Sequence, residues 1–508
     1  MARLGACACV EVSASTYLWI VPHDITEWII QLKIIILGAG QVGSSVAESL
    51  VSEANDITVV DIAADRLSLL QDRLDLRTII GSASHPSVLV NAGAEDADLV
   101  FAVTASDETN LVACKLAATL FNTPTKIARI RSTEYLTHLE IFSSENFCVD
   151  FAICPEQILT EYVENLIEFP EALQVLNFAS GKVSLVAVRA FYGGPLVGQQ
   201  LQELRKHVPN VDTRVAAIFR KNRSIIPEGD TIIEAEDEVF FIAASEDIRV
   251  VMRELRSMDK PVKRVMIAGG GKIGKRLAET LERDYQVRII EHDYRVCERL
   301  AAKLHHALVL HGDATDETLL ENENIAEMDM FCALTNDDEN NIMSSLLAKR
   351  MGAHKVVALI NRSAYADLVQ SGGIDIAISP AQVTIGSLLA YVRQGDVVAV
   401  HSLRRGAAEA LELVVHGDAK SSNVVGRKVE DVVLPKGATI AAIVRGLPVS
   451  KGMSGEMEQE VLSAANPQVI IAHHDTVIEP EDHVILFVIN RKMIREVEKL
   501  FQVNVGFL

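Results

Sequence analysis

The stretch Lys33-Ile34-Ile35-Ile36-Leu37-Gly38-Ala39-Gly40-Gln41-Val42-Gly43 decides how this chain is read. Its apolar run predicts a short buried strand, and the glycines after it predict a tight turn into a helix over about 41–52. Gly38, Gly40 and Gly43 form GxGxxG. The first permits the turn, the second lets backbone amides approach a pyrophosphate, and the third lets helix and strand lie close. The helix start, from Ala39 and Gln41 to Val42, offers free N–H donors and a positive dipole end to phosphate oxygens. Working outward, residues 57–60 read as the next strand, with Asp61 at its end, 23 residues past Gly38. A carboxylate there accepts from ribose hydroxyls and repels a 2′-phosphate, which favours NAD or adenosine nucleotides over NADP. Ser44-Ser45 follows Gly43 where a P-loop would need Lys-Ser/Thr, so the turn is not a P-loop.

One GxGxxG is weak evidence, because 29 glycines in 508 residues give roughly 0.1 chance matches. Here the motif recurs. Ile36 to Gly43 matches Ile267-Ala268-Gly269-Gly270-Gly271-Lys272-Ile273-Gly274 at an offset of 231. At the same offset Gly81-Ser82-Ala83-Ser84 matches Gly312-Asp313-Ala314-Thr315, Thr104 matches Thr335, and Asp107, Glu108 and Asn110 match Asp338, Glu339 and Asn341. One register held this far means two copies of one domain. Gly269, Gly271, Lys272, Ile273 and Gly274 form the second candidate cradle. Glu291 follows Gly269 by 22 residues, and His292 holds the position that aligns without a gap.

A smaller pair follows the copies. Gly229 to Val239 resembles His474 to Val484 at an offset of 245, and Val215 to Arg220 resembles Ile440 to Arg445 at 225. The difference marks a polar insertion over roughly 450–467, read as a mobile loop. The expected fold is α/β: two Rossmann-like, doubly wound parallel-sheet domains over 33–153 and 262–381, each followed by a small β-rich α+β domain over 172–256 and 398–492. Residues 154–171 are expected to form a crossover helix and linker. Residues 1–32 match nothing else in the chain and are read as an N-terminal extension, from an upstream start assignment.

Arg129 and Arg131 alternate around Ile130 at the end of an expected strand over 125–130, so both lie on one face and can reach phosphates. The second copy has Leu359-Ile360-Asn361-Arg362 there, and its phosphate site is expected to be weaker or different. Thr104 and Thr335 sit at a strand end, where open α/β sheets bind ligands. Asp107 and Asp338 are expected to stabilise helix N-termini by charge. No acid–base set for hydride transfer emerges, and no histidine has a partner at metal spacing. The net charge of −21 argues against nucleic acid and anionic lipid as partners. No run of 18 apolar residues encodes a membrane span. Seven cysteines without CxxC spacing fit a reducing cytoplasm.

These residues and the duplication resemble the TrkA-like family, the cytoplasmic subunits of bacterial Trk potassium-uptake systems. Chains of that family carry two RCK units, each a Rossmann-like N-terminal part and a small C-terminal part. The resemblance covers nearly everything after Leu32. It implies binding of NAD(H), with ATP or ADP as competing ligands, and no enzymatic activity. It also implies a homotetrameric ring attached to the inner face of the plasma membrane through an integral potassium-translocating subunit of the TrkH or TrkG type. Nucleotide identity would then shift the ring and gate potassium flux. Carried over, Gly38, Gly40 and Gly43 cradle phosphate, Asp61 holds ribose, Thr104 lines the site, and Arg129 and Arg131 contact phosphates. The extension and the insertion depart from the family. The alternatives are an NAD-dependent oxidoreductase with a duplicated cofactor domain and an assembly scaffold with vestigial glycine turns.

Overall fold

Four consecutive apolar residues, Ile34 to Leu37, are buried on both faces of a strand, as the interior of a parallel sheet requires. The computed structural model describes residues 32–503 apart from 52–54, 222, 256–259, 363–364, 366–368, 370–372, 394–395, 404–407, 449–466 and 491–492. The extension and the insertion therefore lie outside the described residues. In the first unit β1 (Lys33–Leu37), β2 (Asp56–Asp61), β3 (Arg77–Ile80), β4 (Leu99–Ala102), β5 (Thr125–Arg129) and β6 (Phe151–Ile153) form one sheet in the order β3-β2-β1-β4-β5-β6. Every pairing in it is parallel. Ile34 and Ile36 face α1 (Gln41–Val51), while Ile35 and Leu37 face α3 (Pro86–Ala92) and α4 (Asp107–Phe121). The alternation is the two-residue period of a strand covered on both sides. Helix α2 (Ala64–Gln71) ends where Arg73 N–H turns back to Leu70 O. The short α5 (Thr133–Leu136) and the crossover helix α6 (Pro155–Glu168) complete the unit.

The first small domain is an antiparallel sheet of β7 (Ala172–Phe178), β8 (Val183–Arg189), β9 (Thr213–Arg220), β10 (Arg223–Ile225) and β11 (Glu238–Ala244), ordered β10-β9-β11-β8-β7. Two short helices, α7 (Leu204–His207) and α8 (Ile248–Met252), accompany it. The second Rossmann unit repeats the first: β12 (Arg264–Ala268), α9 (Lys272–Leu281), β13 (Gln286–Glu291), α10 (Tyr294–Ala301), β14 (Leu308–His311), α11 (Glu317–Asn322), β15 (Met330–Ala333), α12 (Asp338–Arg350), β16 (Lys355–Leu359) and β17 (Ile376–Ile378). Its strand order, β14-β13-β12-β15-β16-β17, is the same. A second crossover helix, Pro380–Val392, leads to β18 (Val397–Leu403), β19 (Ala408–Val414), β20 (Ala438–Arg445), β21 (Gln468–Ile471) and β22 (His483–Val488), which repeat the first small sheet strand for strand.

The two halves are not beads on a string. Leu159, Val163, Leu166 and Ile167 of α6 pack into the core of the second Rossmann unit, against Leu277, Ala278 and Leu281 of α9. Reciprocally, Ile385, Leu388, Leu389 and Val392 of the second crossover helix pack against Val46 and Leu50 of α1. Phe151 stacks on Tyr391 at 4.4 Å between ring centroids. Each unit thus lends the other a helix, and each buried Leu or Ile in that exchange contributes about 1.5–3 kcal/mol. The small sheets also pack face to face, with Phe178, Phe219 and Phe240 sharing a core with Leu403, Ala441 and Phe487.

The repeated turn sequence of the small domains has a structural cause. Asp237 accepts two hydrogen bonds from Arg220 at 2.8 Å, and Asp482 accepts two from Arg445 at 2.9 Å. Each aspartate also takes the N–H of Glu234 or Glu479, which locks the turn before the last strand. The aspartate beside each guanidinium raises the arginine pKa further. Among the described residues no helix is long and apolar enough to cross a membrane.

Candidate functional site

The glycine turns stand at the carboxyl edge of both parallel sheets, and their three glycines have three separate reasons. Gly38 has φ of +117°, and a Cβ there would lie 2.9 Å from Val103 O. A Cβ on Gly43 would lie 1.9 Å from Gly38 O, so helix and turn could not close. Gly40 faces open space, with nothing within 4 Å of a Cβ. Gly269, Gly274 and Gly271 repeat these roles, at φ of +106°, at 1.9 Å from Gly269 O, and in open space respectively. Two glycines of each motif are therefore needed to fold, and the middle one keeps a surface clear. Gln41 and Lys272, the first residues of α1 and α9, are exposed, whereas Val42 is buried and Ile273 half-buried.

Asp61 is 9 % exposed at the end of β2. Its Oδ2 accepts from Ala39 N–H at 2.6 Å and its Oδ1 from Ala63 N–H at 2.8 Å. The carboxylate thus ties the glycine turn to the β2–α2 loop. In the second unit Glu291, not His292, takes this place: it accepts from Gly270 N–H at 2.7 Å and Asp293 N–H at 2.9 Å. Strand register explains the one-residue difference, since Leu37 pairs with Val60 and Ala268 with Ile290, which puts Asp61 and Glu291 on the same rung. His292 is exposed, with Nδ1 2.8 Å from Glu291 Oε1. Gly270 replaces Ala39, and Leu300 Cδ1 would lie only 2.5 Å from a Cβ there.

Thr104 is brought to the turn by a residue whose role the sequence reading did not assign. Asn110, fully buried on α4, accepts from Thr104 N–H (2.9 Å) and Thr104 Oγ1 (2.7 Å) and donates to Arg129 O (2.8 Å). It thereby staples the ends of β4 and β5 together. Asn341 does the same for Thr335 and Leu359 O. The repeat of Asn110 as Asn341 was the available signal. Asp107 and Asp338 do open α4 and α12, as expected, but they are buried and do more than charge a helix end. Asp107 accepts the N–H groups of Arg131 and Ser132, and Asp338 those of Asn361 and Arg362, fixing the loop after β5 or β16. Ser106 and Asp337 supply the side-chain caps instead.

Arg129 and Arg131 do share one face. Arg129 Nη2 and Arg131 Nε both donate to Glu156 Oε1, each at 3.1 Å. Glu156, in the first turn of α6, was not anticipated as part of the site. At the rim, Ile62 and Ile80 are 77 % and 65 % exposed, directly after Asp61 and at the end of β3. Cys114 on α4 and Cys332 on β15 are buried in the cores of the two units, and burial pushes each thiol up to about 12.

The strand order, the glycine turn, the acid at the end of the second strand and the exchanged crossover helices define a tandem nucleotide-binding Rossmann protein of the RCK type. A family model described as the TrkA-N domain matches residues 34–155 and again 265–380, and one described as the TrkA-C domain matches 185–256. The chain is 60 % identical over 476 residues to the Trk system potassium uptake protein TrkA of Halomonas elongata, covering 94 % of this chain and 100 % of that one. It is 57 % identical over 478 residues to the protein of that name from Vibrio alginolyticus, with the same coverage. Among solved structures, the GsuK channel superposes with a TM-score of 0.59 at 18 % identity, over 94 % of this chain and 80 % of that chain. The GsuK RCK domain does so with a TM-score of 0.57 at 17 % identity, over 95 % and 96 %. The chain belongs to the TrkA family.

Proposed function

We propose that this chain is the nucleotide-sensing, non-enzymatic regulatory subunit of a Trk-type potassium uptake system. It docks at the inner face of the plasma membrane on an integral potassium-translocating subunit of the TrkH or TrkG type. Its relatives carry the name of that system over their full length. The first cleft takes NAD(H), with ATP or ADP competing. Phosphates lie over the turn of Gly38, Ala39, Gly40, Gln41, Val42 and Gly43, within reach of Arg129 and Arg131. They lie on the amides past Ala39, since Val60 O takes the N–H of Gly38 and Asp61 that of Ala39. The ribose lies at Asp61, Thr104 lines the wall, and the adenine covers Ile62 and Ile80. In the second cleft Gly269, Gly271, Lys272, Ile273, Gly274 and Glu291 hold the corresponding places. Nucleotide identity shifts a homotetrameric ring between states, because a ligand that prefers one state moves the equilibrium by its differential affinity.

The observation that carries this reading is the first turn. A helix N-terminus with open space over Gly40 stands at the edge that also holds Asp61 and two guanidiniums. Titration of NADH, NAD, ATP and ADP into the purified chain, with mass measurement of the assembly, tests it. Each ligand is expected to bind and to raise the melting temperature, by about 2.7 kcal/mol of linkage at a hundredfold excess over Kd. Absence of any thermal shift at millimolar ligand would defeat it, and measurable hydride transfer by the chain alone would favour the oxidoreductase.

A further inference from the structure

Two guanidiniums meet one carboxylate beside the first cleft. Arg129, Arg131 and Glu156 have side chains 17 %, 31 % and 9 % exposed, so the cluster is largely withdrawn from water. Arg129 Nε is buried without a hydrogen-bond partner among the described residues. The cluster therefore carries a surplus positive charge and an unused donor, and guanidinium forks match phosphate oxygens two at a time. The residues flanking Glu156 reach the second unit, and Cys154 Sγ lies 3.9 Å from Glu156 Oε2. The next residue, Gln157, accepts from Arg276 Nη2 at 3.2 Å, and Cys154 Sγ lies 3.7 Å from Arg276 Nη1. Arg276 belongs to α9, the helix that opens at the second glycine turn and packs along the apolar face of α6. The second unit lacks this arrangement, since Ala381 and Leu359 stand where Glu156 and Arg129 stand in the first.

We infer that Glu156 is an internal stand-in for a ligand phosphate, and that its displacement from Arg129 and Arg131 is transmitted by α6 and Arg276 to the helix of the second glycine turn. The inference rests on a nucleotide binding the first cleft. In the empty protein the carboxylate neutralises the arginines and holds the first turn of α6 against β5. A phosphate that captures the guanidiniums frees Glu156, and α6, rigid and packed on α9, carries the change to the second unit. Among the described residues this polar route links the first cleft to α9, and any coupling it carries is reciprocal. Glu156 is a positioning residue here, because it touches the arginines and not the ligand.

Hydrogen exchange on the full chain carrying Gly271→Val, which fills the second cleft, isolates the effect of NADH or ATP in the first. On that background nucleotide is expected to change exchange across residues 272–281. Adding Glu156→Gln removes the competing charge, so affinity rises roughly tenfold (about 1.4 kcal/mol), while the response at 272–281 disappears. Arg276→Ala leaves first-cleft affinity unchanged and also abolishes the response. Equal or weaker binding by Glu156→Gln, or a response at 272–281 that survives either variant, would overturn the inference while leaving nucleotide binding intact. If the Gly271→Val chain binds no nucleotide at millimolar concentration, the functional reading falls and this inference with it. Should Glu156→Gln not fold, Arg276→Ala decides alone.

Discussion

Helix α2 of the first unit begins after Ala63, which puts no side chain on its free amides, whereas α10 of the second begins after Asp293, which accepts the N–H groups of Arg295 and Val296. The next helices differ in the same way: His85 leaves α3 uncapped, and Asp316 caps α11 through Thr318 and Leu319. Ser82 stands opposite Asp313 in the repeat, and Arg129 and Arg131 stand opposite Leu359 and Asn361. Around one preserved turn, then, the second unit has gained carboxylates and lost two guanidiniums. An acid on a helix N-terminus satisfies orphan amides and stabilises the helix. The same acid repels a phosphate that would use those amides. At α10 and α11 the second unit has taken the stabilising choice, whereas α2 and α3 of the first have no side-chain cap. The glycine-turn helix α9 is itself uncapped after Gly271, so the trade between stability and a binding site is made in the charge at the rim and not at the turn.

The largest effects should be equal in the two units, because they concern the shared turn. Gly43→Ala and Gly274→Ala each force a Cβ to 1.9 Å from a carbonyl oxygen. Each is expected to cost about 3 kcal/mol or more in denaturant unfolding. A large loss in only one unit would show that the turns are built differently. Next come effects that should be unequal. Gly40→Val places a side chain in open space, so the empty protein should melt as before while nucleotide affinity falls on the order of a hundredfold, by loss of backbone–phosphate contact. Gly271→Val should change total nucleotide binding far less, as calorimetric stoichiometry would reveal, and an equal loss would erase the proposed asymmetry. Arg131→Ala should weaken binding roughly tenfold, the worth of one charge-assisted contact, whereas Asn361→Ala should do nothing measurable. Asp61→Asn is the informative change at the acid. Asp61→Ala would also strand two amides that the carboxylate now satisfies, at about 1–3 kcal/mol.

Local signals carried much of this organisation. The run before Gly38 reads as a buried strand because its apolar residues are uninterrupted, and it is one. The 231-residue offset exposed the duplication, and both sheets have the same strand order. The gapless alignment alone left Glu291 and His292 undecided, because only strand register places a carboxylate on the turn's amides. The helix exchange was illegible for a related reason. The apolar face of α6 shows that it must be covered, but nothing local says that α9 covers it. The roles of Asn110 and Glu156 were missed because they depend on Arg129 and Arg131, 19 to 27 residues away, on strands and loops that meet only in the folded sheet. Asp107 looked like a helix-end charge because it is one in sequence, and its burial against the loop after β5 is a tertiary fact.

The smallest effects concern the caps and sharpen the comparison most directly. Asp316→Ala should destabilise the second unit by about 1 kcal/mol, and His85→Asp should stabilise the first by a comparable or smaller amount. His85→Asp should also weaken nucleotide binding, since it places a charge at the sheet edge where phosphate is proposed to lie; tighter binding would contradict the trade. Acid provides an independent check. Backbone N–H groups hold the carboxyl of Asp293, and backbone and hydroxyl donors from Thr315 that of Asp313, below the ordinary aspartate pKa. A carboxylate whose folded pKa is depressed adds stability that is complete above its unfolded pKa, about 3.9, and is lost as pH falls through the folded value. The first unit has Ala63 and Ser82 at these places. Lowering the pH from about 5 toward 3 should therefore loosen the strands and helices around Glu291 before those around Asp61, as hydrogen exchange resolved by segment would report. The opposite order would mean that the added carboxylates do not stabilise the second unit, and the explanation of why its cleft differs would have to be sought in the missing arginines alone.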